Sequence, residues 1–219
     1  MSCPGPRPGF VVGLAAEARI AVRSGFPVRA GGSMPGGAAE AASELVRDGA
    51  TALVSFGLAG GLDPALRPGM VVVPETVLSA GQAFHADATL AAWFGGFTGH
   101  RLLAGETVAA DATTKRALFT ATGAQAIDLE SGAVARVAAS QGLPFAVVRA
   151  ICDPAERDLP PAALIALDQH GAIGLLAVLG SVLRQPTQIL ALLALAGDAG
   201  RARRSLQRII RSSAVTSHS

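Results

Sequence analysis

The chain has few cysteines, little charge and no sign of an export signal. Its 219 residues include two cysteines, Cys3 and Cys152, which excludes a disulfide framework and a zinc site of paired cysteines. Charged residues make up 16% of the chain and the formal net charge is +2, too little to indicate a nucleic-acid partner. The N-terminus MSCPGPRPGF has neither a basic start nor an apolar stretch of signal length. We therefore expect a cytoplasmic protein with reduced cysteines.

Strand and helix patterns alternate along most of the chain. Half of the residues are hydrophobic, which is enough for one core between layers of helix and sheet. Apolar runs predict strands at 10–14, 50–56, 69–78 and 145–152. Segments such as GGAAEAASELVRDG between them repeat their apolar residues every three to four positions, as helices do. Strands separated by helices indicate an α/β fold with a mainly parallel sheet covered on both faces.

The expected organisation is one domain with short extensions at both ends. Residues 10–197 form the predicted domain. Residues 1–9 are predicted to be a flexible N-terminus, and residues 198–219 a basic C-terminal tail.

Glycines follow the second predicted strand. In SFGLAGGLDPALRPG, Gly57, Gly60 and Gly61 come directly after the apolar run, and the absence of Cβ atoms permits close approach of the backbone to a ligand. The segment matches neither the GxGxxG fingerprint nor the P-loop. A ligand-binding loop and a plain connection therefore both fit, and a second glycine loop, AGGSMPGG at 30–37, is weaker.

Three carboxylates stand at predicted strand or helix ends. Asp153 ends the fourth strand, and ligands in open α/β sheets bind at the carboxyl ends of strands. An Asp before Pro154 is also an ordinary turn signal. Glu17 and Glu130 lie near helix starts, where a solvated carboxylate is favourable for electrostatic reasons alone. Their shared placement at sheet-to-helix junctions favours a common site.

Four segments resemble the nucleoside phosphorylase and nucleosidase superfamily, particularly its methylthioadenosine/S-adenosylhomocysteine nucleosidase branch. They are GLAAEA, SFGLAGGLDPALRPGMVVV, HADATLAAWF and AIDLESGAVARVAASQGLPFAVVRAICD, and they span most of residues 10–155 in the family's order. The resemblance implies a single-domain three-layer sandwich with a mixed, mainly parallel sheet, and a homodimer.

The resemblance also assigns roles to residues. Asp153 corresponds to the general acid on the purine side, and Glu17 to the glutamate that positions the water nucleophile. Leu129 and Glu130 correspond to a Met-Glu pair that binds the ribose hydroxyls, and Arg149 to a strand arginine. Further substrate contacts are expected at Gly57, Ala59, Gly60 and Val108.

The chemistry of N-glycosidic cleavage explains these residue types. The ribose becomes cation-like in the transition state while the departing purine gains negative charge. Asp153 would protonate the purine, and Glu130 would accept hydrogen bonds from the ribose hydroxyls and balance the positive charge. No metal or organic cofactor is expected, and inorganic phosphate is an alternative co-substrate to water.

Two departures from the family pattern leave the acceptor open. Leu58 replaces the serine of hydrolytic relatives, and Cys152 replaces the serine before the acid. Phosphorolytic relatives grip phosphate with an arginine and a hydroxyl near the glycine segment, whereas Ser55 and Leu58 stand there in this chain. Residue chemistry alone does not separate phosphate from water.

The C-terminal part combines apolar segments with arginines. The apolar segments 172–183 and 189–197 are each shorter than the roughly 20 residues that a helix needs to cross a bilayer. The arginines that follow are Arg201, Arg203, Arg204, Arg208 and Arg211. This pattern is typical of an interfacial segment attracted to anionic lipid. Two core or dimer helices with a polar end fit the same pattern.

The tail ALIALDQHG…RQPTQILALLALAGDAGRA, with CDPAERDLPPAAL before it, resembles the hopanoid-associated phosphorylases. That resemblance implies cleavage of adenosylhopane to adenine and a ribosyl or phosphoribosyl hopane. If the C-terminal segment is interfacial, the expected location is peripheral on the inner face of the membrane. Two alternatives stay open: a methylthioadenosine or S-adenosylhomocysteine nucleosidase, and a non-catalytic, membrane-associated nucleoside-binding protein.

Overall fold

A computed structural model describes residues 6–161, 163 and 188–216. The strands are β1 (Pro8–Val12), β2 (Val28–Ala30), β3 (Ala52–Gly61), β4 (Val71–Val72), β5 (Thr76–Ser79), β6 (Gln82–His85), β7 (Arg101–Ala104), β8 (Ala126–Asp128) and β9 (Phe145–Asp153). The helices are α1 (Ala15–Ala21), α2 (Pro35–Arg47), α3 (Ala88–Ala92), α4 (Ala112–Thr122), α5 (Ser131–Ser140) and α6 (Gln188–Thr216), and a 3-10 turn at Val22–Ser24 follows α1.

The strands form one mixed sheet that is mainly parallel, as the sequence predicts. Strand β1 pairs in parallel with β2 and β3, β3 with β9, and β7 with β5 and β8. The antiparallel pairs are β3 with β8, β4 with β9, and β5 with β6. Because β1, β3 and β9 are parallel neighbours, their carboxyl ends meet at one edge of the sheet.

Helices cover both faces of the sheet and complete the three layers. On one face, Leu53 of β3 and Val147 of β9 pack with apolar residues of α2 and α5. On the other face, the adjacent residues Val54 and Val148 pack with α1 and α6. Side chains of a strand alternate between faces, so a run of apolar residues supplies both cores at once. The predicted single-domain α/β fold is confirmed.

The glycine segment is part of a strand and not the loop that we expected. Strand β3 continues through Gly57, and Gly60 and Gly61 pair with β8. None of these three glycines has a positive φ. A Cβ on Gly57 would lie 2.4 Å from Arg149 Nη1 and 2.7 Å from Glu17 Oε1. Glycine is therefore needed at position 57 for close packing inside the sheet.

Other boundaries also differ from the sequence prediction. The strand expected at 69–78 is divided into β4 and β5, and Pro74, which cannot donate to a ladder, lies between them. Strands β6, β7 and β8 were not predicted, because each has four residues or fewer and leaves little pattern to detect. At the N-terminus, Pro8 and Gly9 belong to β1, so the first strand begins within the segment that was expected to be flexible.

The expected boundary at residues 197 and 198 falls inside helix α6. This helix buries Ala202, Leu206 and Ile210 in the core formed with β1, β3 and β9. The arginines suggested a separate tail, but at helical spacing they share α6 with core residues. No helix among the described residues is both long and apolar enough to span a bilayer. The apolar segment predicted at 172–183 lies outside the described residues.

Candidate active site

A cavity of about 500 Å³ opens at the carboxyl ends of the parallel strands. Its acidic lining residues are Glu17, Asp128, Glu130 and Asp153. Most of the remaining described lining is apolar, and it comes from β3, β8, the loop after β7 and helix α6. The sheet edge therefore brings together all three carboxylates singled out in the sequence, and it adds a fourth.

Asp153, the last residue of β9, is held by a buried lysine. Lys115 Nζ lies 2.6 Å from Asp153 Oδ2, and both side chains are buried. The other oxygen, Oδ1, is buried and has no hydrogen-bond partner among the residues that the structure describes. Burial raises the pKa of the Asp153 carboxyl, whereas the hydrogen bond and charge of Lys115 act in the opposite direction. The carboxyl thus keeps one oxygen for a ligand, and its protonation is favoured by the site.

Glu130 opens α5 and is bound to a buried arginine. Arg149 Nη2 donates to Glu130 Oε2 at 2.7 Å and to Ser55 Oγ at 2.8 Å, and it lies 2.5 Å from Asp128 Oδ2. Burial raises the pKa of Glu130 to about 7; Arg149 opposes this shift, and Asp128 and Glu17 add to it. Glu130 is 7% exposed, so it is not the solvated helix-start carboxylate that the sequence also allowed.

Glu17 is buried at the first turn of α1, with both oxygens bound by the backbone. Its Oε2 accepts hydrogen bonds from the amides of Gly13 and Leu14, and its Oε1 accepts one from Leu58 at 2.8 Å. These bonds tie the loop after β1 to strand β3. The side chain also lines the cavity, so a small nucleophile bound there can contact it.

The remaining predicted contacts divide into two groups. Leu129, Ala59, Gly60 and Val108 line the cavity. Gly57 and Arg149 are not among the lining residues that the structure describes, and Arg149 is 1% exposed. Arg149 therefore acts on the site through its bonds to Glu130, Asp128 and Ser55, rather than as a wall of the cavity.

Helix α6 supplies an apolar side of the cavity. Leu192, Leu195, Ala196 and Ala199 line it from successive turns, and Arg203 follows one turn later. This wall was not predicted. The apolar segment 189–197 was expected to contact either a membrane or the protein core.

The two departures from the family pattern lie beside each other at the cavity. Leu58 and Cys152 both line it. Cys152 Sγ donates to the carbonyl oxygen of Ala59 at 3.6 Å, and burial raises the pKa of the thiol to about 12. The thiol is therefore neutral at physiological pH, and a neutral thiol is a poor nucleophile.

Sequence reasoning missed Lys115 and Asp128. Asp128 ends the three-residue strand β8 and accepts hydrogen bonds from the backbone and hydroxyl of Ser131. Lys115 did leave a signal in the sequence. It is the only lysine among the 18 lysine and arginine residues of the chain, and it is fully buried.

Comparison with known proteins agrees with this geometry. Residues 100–172 match the family model described as the phosphorylase superfamily. This segment contains β8, Glu130 and all of β9. No curated protein matches the whole chain or any part of it.

Solved structures share the fold over most of the chain. An S-adenosylhomocysteine nucleosidase from Streptococcus pyogenes, in complex with 5-methylthiotubericidin, is 19% identical with a TM-score of 0.64, covering 84% of this chain and 98% of that one. A futalosine hydrolase of Helicobacter pylori is 13% identical with a TM-score of 0.70, covering 94% and 96%. A 5'-methylthioadenosine/S-adenosylhomocysteine nucleosidase from Colwellia psychrerythraea, in complex with adenine, is 18% identical with a TM-score of 0.62, covering 81% and 96%. These neighbours confirm the predicted fold.

Proposed function

We propose that this protein cleaves the N-glycosidic bond of an adenosine that carries a large apolar substituent, with adenosylhopane as the substrate. The products are adenine and ribosylhopane, or phosphoribosylhopane if phosphate is the acceptor. The observation that carries the proposal is the placement of Asp153 and Glu130, both buried, on one cavity that α6 lines with apolar side chains.

The two carboxyls suit opposite ends of the breaking bond. As the bond between C1' and N9 breaks, its electron pair moves to the purine, and a protonated Asp153 delivers a proton to the base. Glu130 in its ionised form balances the positive charge that develops on the ribose. Stabilising charge that grows in the transition state lowers the barrier directly. A water molecule then adds to C1' and passes its extra proton to bulk water, so the bond is hydrolysed.

The charge around the cavity favours water over phosphate as the acceptor. Four of the described lining residues are acidic, and the one cationic lining residue among them is Arg203. A phosphate dianion would therefore meet repulsion from several carboxylates in a poorly solvated site. Arg149 is already bound to Glu130 and lies close to Asp128, so its charge is largely offset.

The apolar wall of α6 supports a lipid-like substituent. Leu192, Leu195 and Ala199 present aliphatic surface at the cavity. Burial of apolar ligand surface contributes about 25 cal/mol per Å², so a polycyclic group would gain substantial binding free energy there. A hydrophilic substituent would gain nothing from the same wall.

A second part of the proposal is peripheral contact with an anionic membrane. Leu190 and Leu193 are 78% and 64% exposed. On the same outward stripe of α6, at helical spacing, lie the exposed arginines Arg201, Arg204, Arg208 and Arg211. An apolar half followed by a basic half fits insertion beside anionic headgroups. A lipid substrate would then reach the cavity from the bilayer.

The homodimer implied by the family resemblance is a third part of the proposal. Light scattering of the purified protein at two concentrations would test it, and a monomer at both would contradict it.

The direct test is release of adenine from adenosylhopane with and without phosphate, with the sugar product identified by mass spectrometry. We expect release without phosphate and ribosylhopane as the product. Phosphoribosylhopane would reassign the acceptor to phosphate. Binding of adenine without release under any condition would leave a nucleoside-binding protein and contradict the proposal.

A methylthioadenosine or S-adenosylhomocysteine nucleosidase is the second candidate, because structures bearing those names share the fold. The same carboxyls would serve that reaction. A higher kcat/KM for the small nucleosides than for adenosylhopane would favour it.

A further inference from the structure

Lys115 is a cation without access to solvent. It lies on α4 with an exposed fraction of 0%. Its ammonium group lies 2.6 Å from Asp153 Oδ2 and donates to the carbonyl oxygens of Arg157 and Pro154 at 2.7 and 3.0 Å. An ammonium group has three N–H donors, and each has one acceptor at hydrogen-bond distance. The three acceptors all belong to the end of β9 and the turn that follows it.

The choice of lysine is specific to this position. Arginine supplies the other 17 of the 18 lysine and arginine residues. A guanidinium is planar and donates in a fixed fork, whereas an ammonium is a compact point charge with three donors. The acceptors at Asp153, Pro154 and Arg157 surround one point, which an ammonium fits and a guanidinium does not.

We propose that Lys115 is a positioning residue for Asp153, fixing which carboxyl oxygen carries the transferable proton and stabilising the carboxylate that remains after transfer. This inference rests on the proposed function, since it gives Asp153 the role of acid. Lys115 donates to Oδ2, so that oxygen must act as an acceptor. The proton therefore resides on Oδ1, the buried oxygen that lacks a described partner.

Proton transfer leaves a negative charge on Asp153, which is in direct contact with Lys115. When the Oδ1–H bond breaks, the proton joins the purine and its electron pair stays on Asp153. The new carboxylate is already hydrogen-bonded to an ammonium at 2.6 Å. Opposite charges in a poorly solvated site attract far more strongly than in water, so Lys115 favours completion of the transfer.

Other charged or ionisable groups also face Asp153. Arg157, in the loop after β9, favours its carboxylate form, and Asp198 on α6 disfavours it. Cys152, the preceding residue, has a pKa raised by burial and is uncharged. Lys115 makes the direct contact, so its removal should change the acid more than removal of Arg157.

The test is the pH profile of adenine release by Lys115→Met. Methionine keeps an unbranched side chain and removes the charge. Because an opposite charge within about 4–6 Å lowers a carboxyl pKa by about 1–3 units, its loss should move the alkaline limb of kcat/KM upward by a similar span. At neutral pH the rate should fall by about 10- to 10²-fold, less than a positioned general acid is worth. A folded variant with an unmoved alkaline limb would overturn the proposal.

Four further variants separate positioning from folding. Arg116→Met changes the exposed neighbour on the same helix and should leave rate and profile unchanged. Lys115→Arg keeps the charge but not the fit, and it should be nearly as slow as Lys115→Met. In an Asp153→Asn background, Lys115→Met should add little further loss, because the group it positions is gone. A full additional loss there would assign Lys115 to another role. Wild-type activity of Asp153→Asn alone would instead remove the acid role of Asp153, whereas absence of adenine release by the wild type itself would remove the proposed function.

Discussion

At the scale of single residues, the three buried carboxyls differ in what holds them. Backbone amides bind both oxygens of Glu17. An arginine binds Glu130, and a lysine binds one oxygen of Asp153. Amides and ion pairs favour the ionised form, whereas burial favours the neutral form. Asp153 is the one of these three with a buried oxygen, Oδ1, that has no partner among the described residues, which suits that oxygen to hold a proton for a ligand.

Asp153→Asn should slow adenine release by about 10²- to 10⁴-fold, the usual worth of a positioned general acid. Asparagine keeps the size of the side chain but has no carboxyl proton to deliver. The loss should be much smaller for an analogue whose base departs without protonation. Steady-state kinetics with both substrates, beside an adenine-binding measurement to check the fold, would decide it. Equal losses on the two substrates would contradict the acid assignment.

Glu130→Gln should change how stability depends on pH. The pKa of Glu130 is raised from 4.5 to about 7 in the fold, so the folded protein holds a proton that the unfolded chain releases. The stability that this proton contributes is complete below pH 4.5 and is lost as the pH rises through about 7. Relative to the variant, the wild type should lose on the order of 1 kcal/mol per pH unit across that window.

Urea unfolding of Glu130→Gln and wild type between pH 4 and 8 would measure this difference. Glu106→Gln, at an exposed position, is the matched control and should show no such trend. A wild type that gains stability over the variant as the pH rises would mean that the fold favours the ionised carboxylate.

At the scale of elements, α6 has three faces with different surroundings. One packs Ala202, Leu206 and Ile210 into the core. A second lines the cavity through Leu192 and Leu195, and a third carries exposed leucines and arginines. A single helix can thus join the core, the substrate and a lipid surface.

Leu195→Gln should reduce kcat/KM for the lipid-substituted substrate and spare a soluble adenosine analogue. The reason is loss of apolar contact at the cavity, where a fully buried leucine is worth about 1.5–3 kcal/mol. Val22→Gln is the matched control, because that side chain is 55% exposed and does not line the cavity. Equal losses on the two substrates would show that α6 does not contact the substituent.

Replacing Arg204, Arg208 and Arg211 with glutamine should weaken binding to anionic vesicles by roughly 1 kcal/mol per arginine. Turnover of a soluble adenosine analogue should stay unchanged. A control with Arg47, Arg101 and Arg116 replaced removes the same charge from exposed sites elsewhere. Vesicle co-sedimentation at low and physiological salt would compare the two, and equal binding would contradict the membrane contact.

At the scale of the whole molecule, the sequence predicted the α/β class and three of the strands that end at the site, β1, β3 and β9. The site could be predicted from long apolar runs with carboxylates beside them, namely Asp153, Glu130 and Glu17. The carboxyl ends of parallel strands converge, so these carboxylates were expected to lie close together. The ladder through Gly57–Gly61 and the Lys115 contact could not be predicted, since both depend on partners far along the chain. The α6 wall was missed because an apolar segment carries no information about which surface it faces.

Gly57→Ala should destabilise the protein by about 1–3 kcal/mol, the usual cost of overpacking. The added methyl would collide with Arg149 and Glu17, which connect β9, β3 and the loop after β1. Gly36→Ala, where nothing lies within 4 Å in α2, should be neutral or stabilising. Chemical denaturation would compare the two, and a neutral Gly57→Ala would show that the network yields to the methyl.

The pairing of β3 with β9 also bears on how the chain folds. Leu53 lies opposite Phe145 in this ladder. The two strands are therefore far apart in the chain, with β4 to β8 between them. Pairings between distant segments form slowly, because a long loop must close before any contact is gained. During synthesis β3 emerges from the ribosome well before its partner β9. The two strands of the β5–β6 hairpin, in contrast, emerge one directly after the other and can pair as soon as both are made. Until β9 is made, one flank of an apolar strand stands unpaired, and unpaired strand edges are where nascent chains associate wrongly.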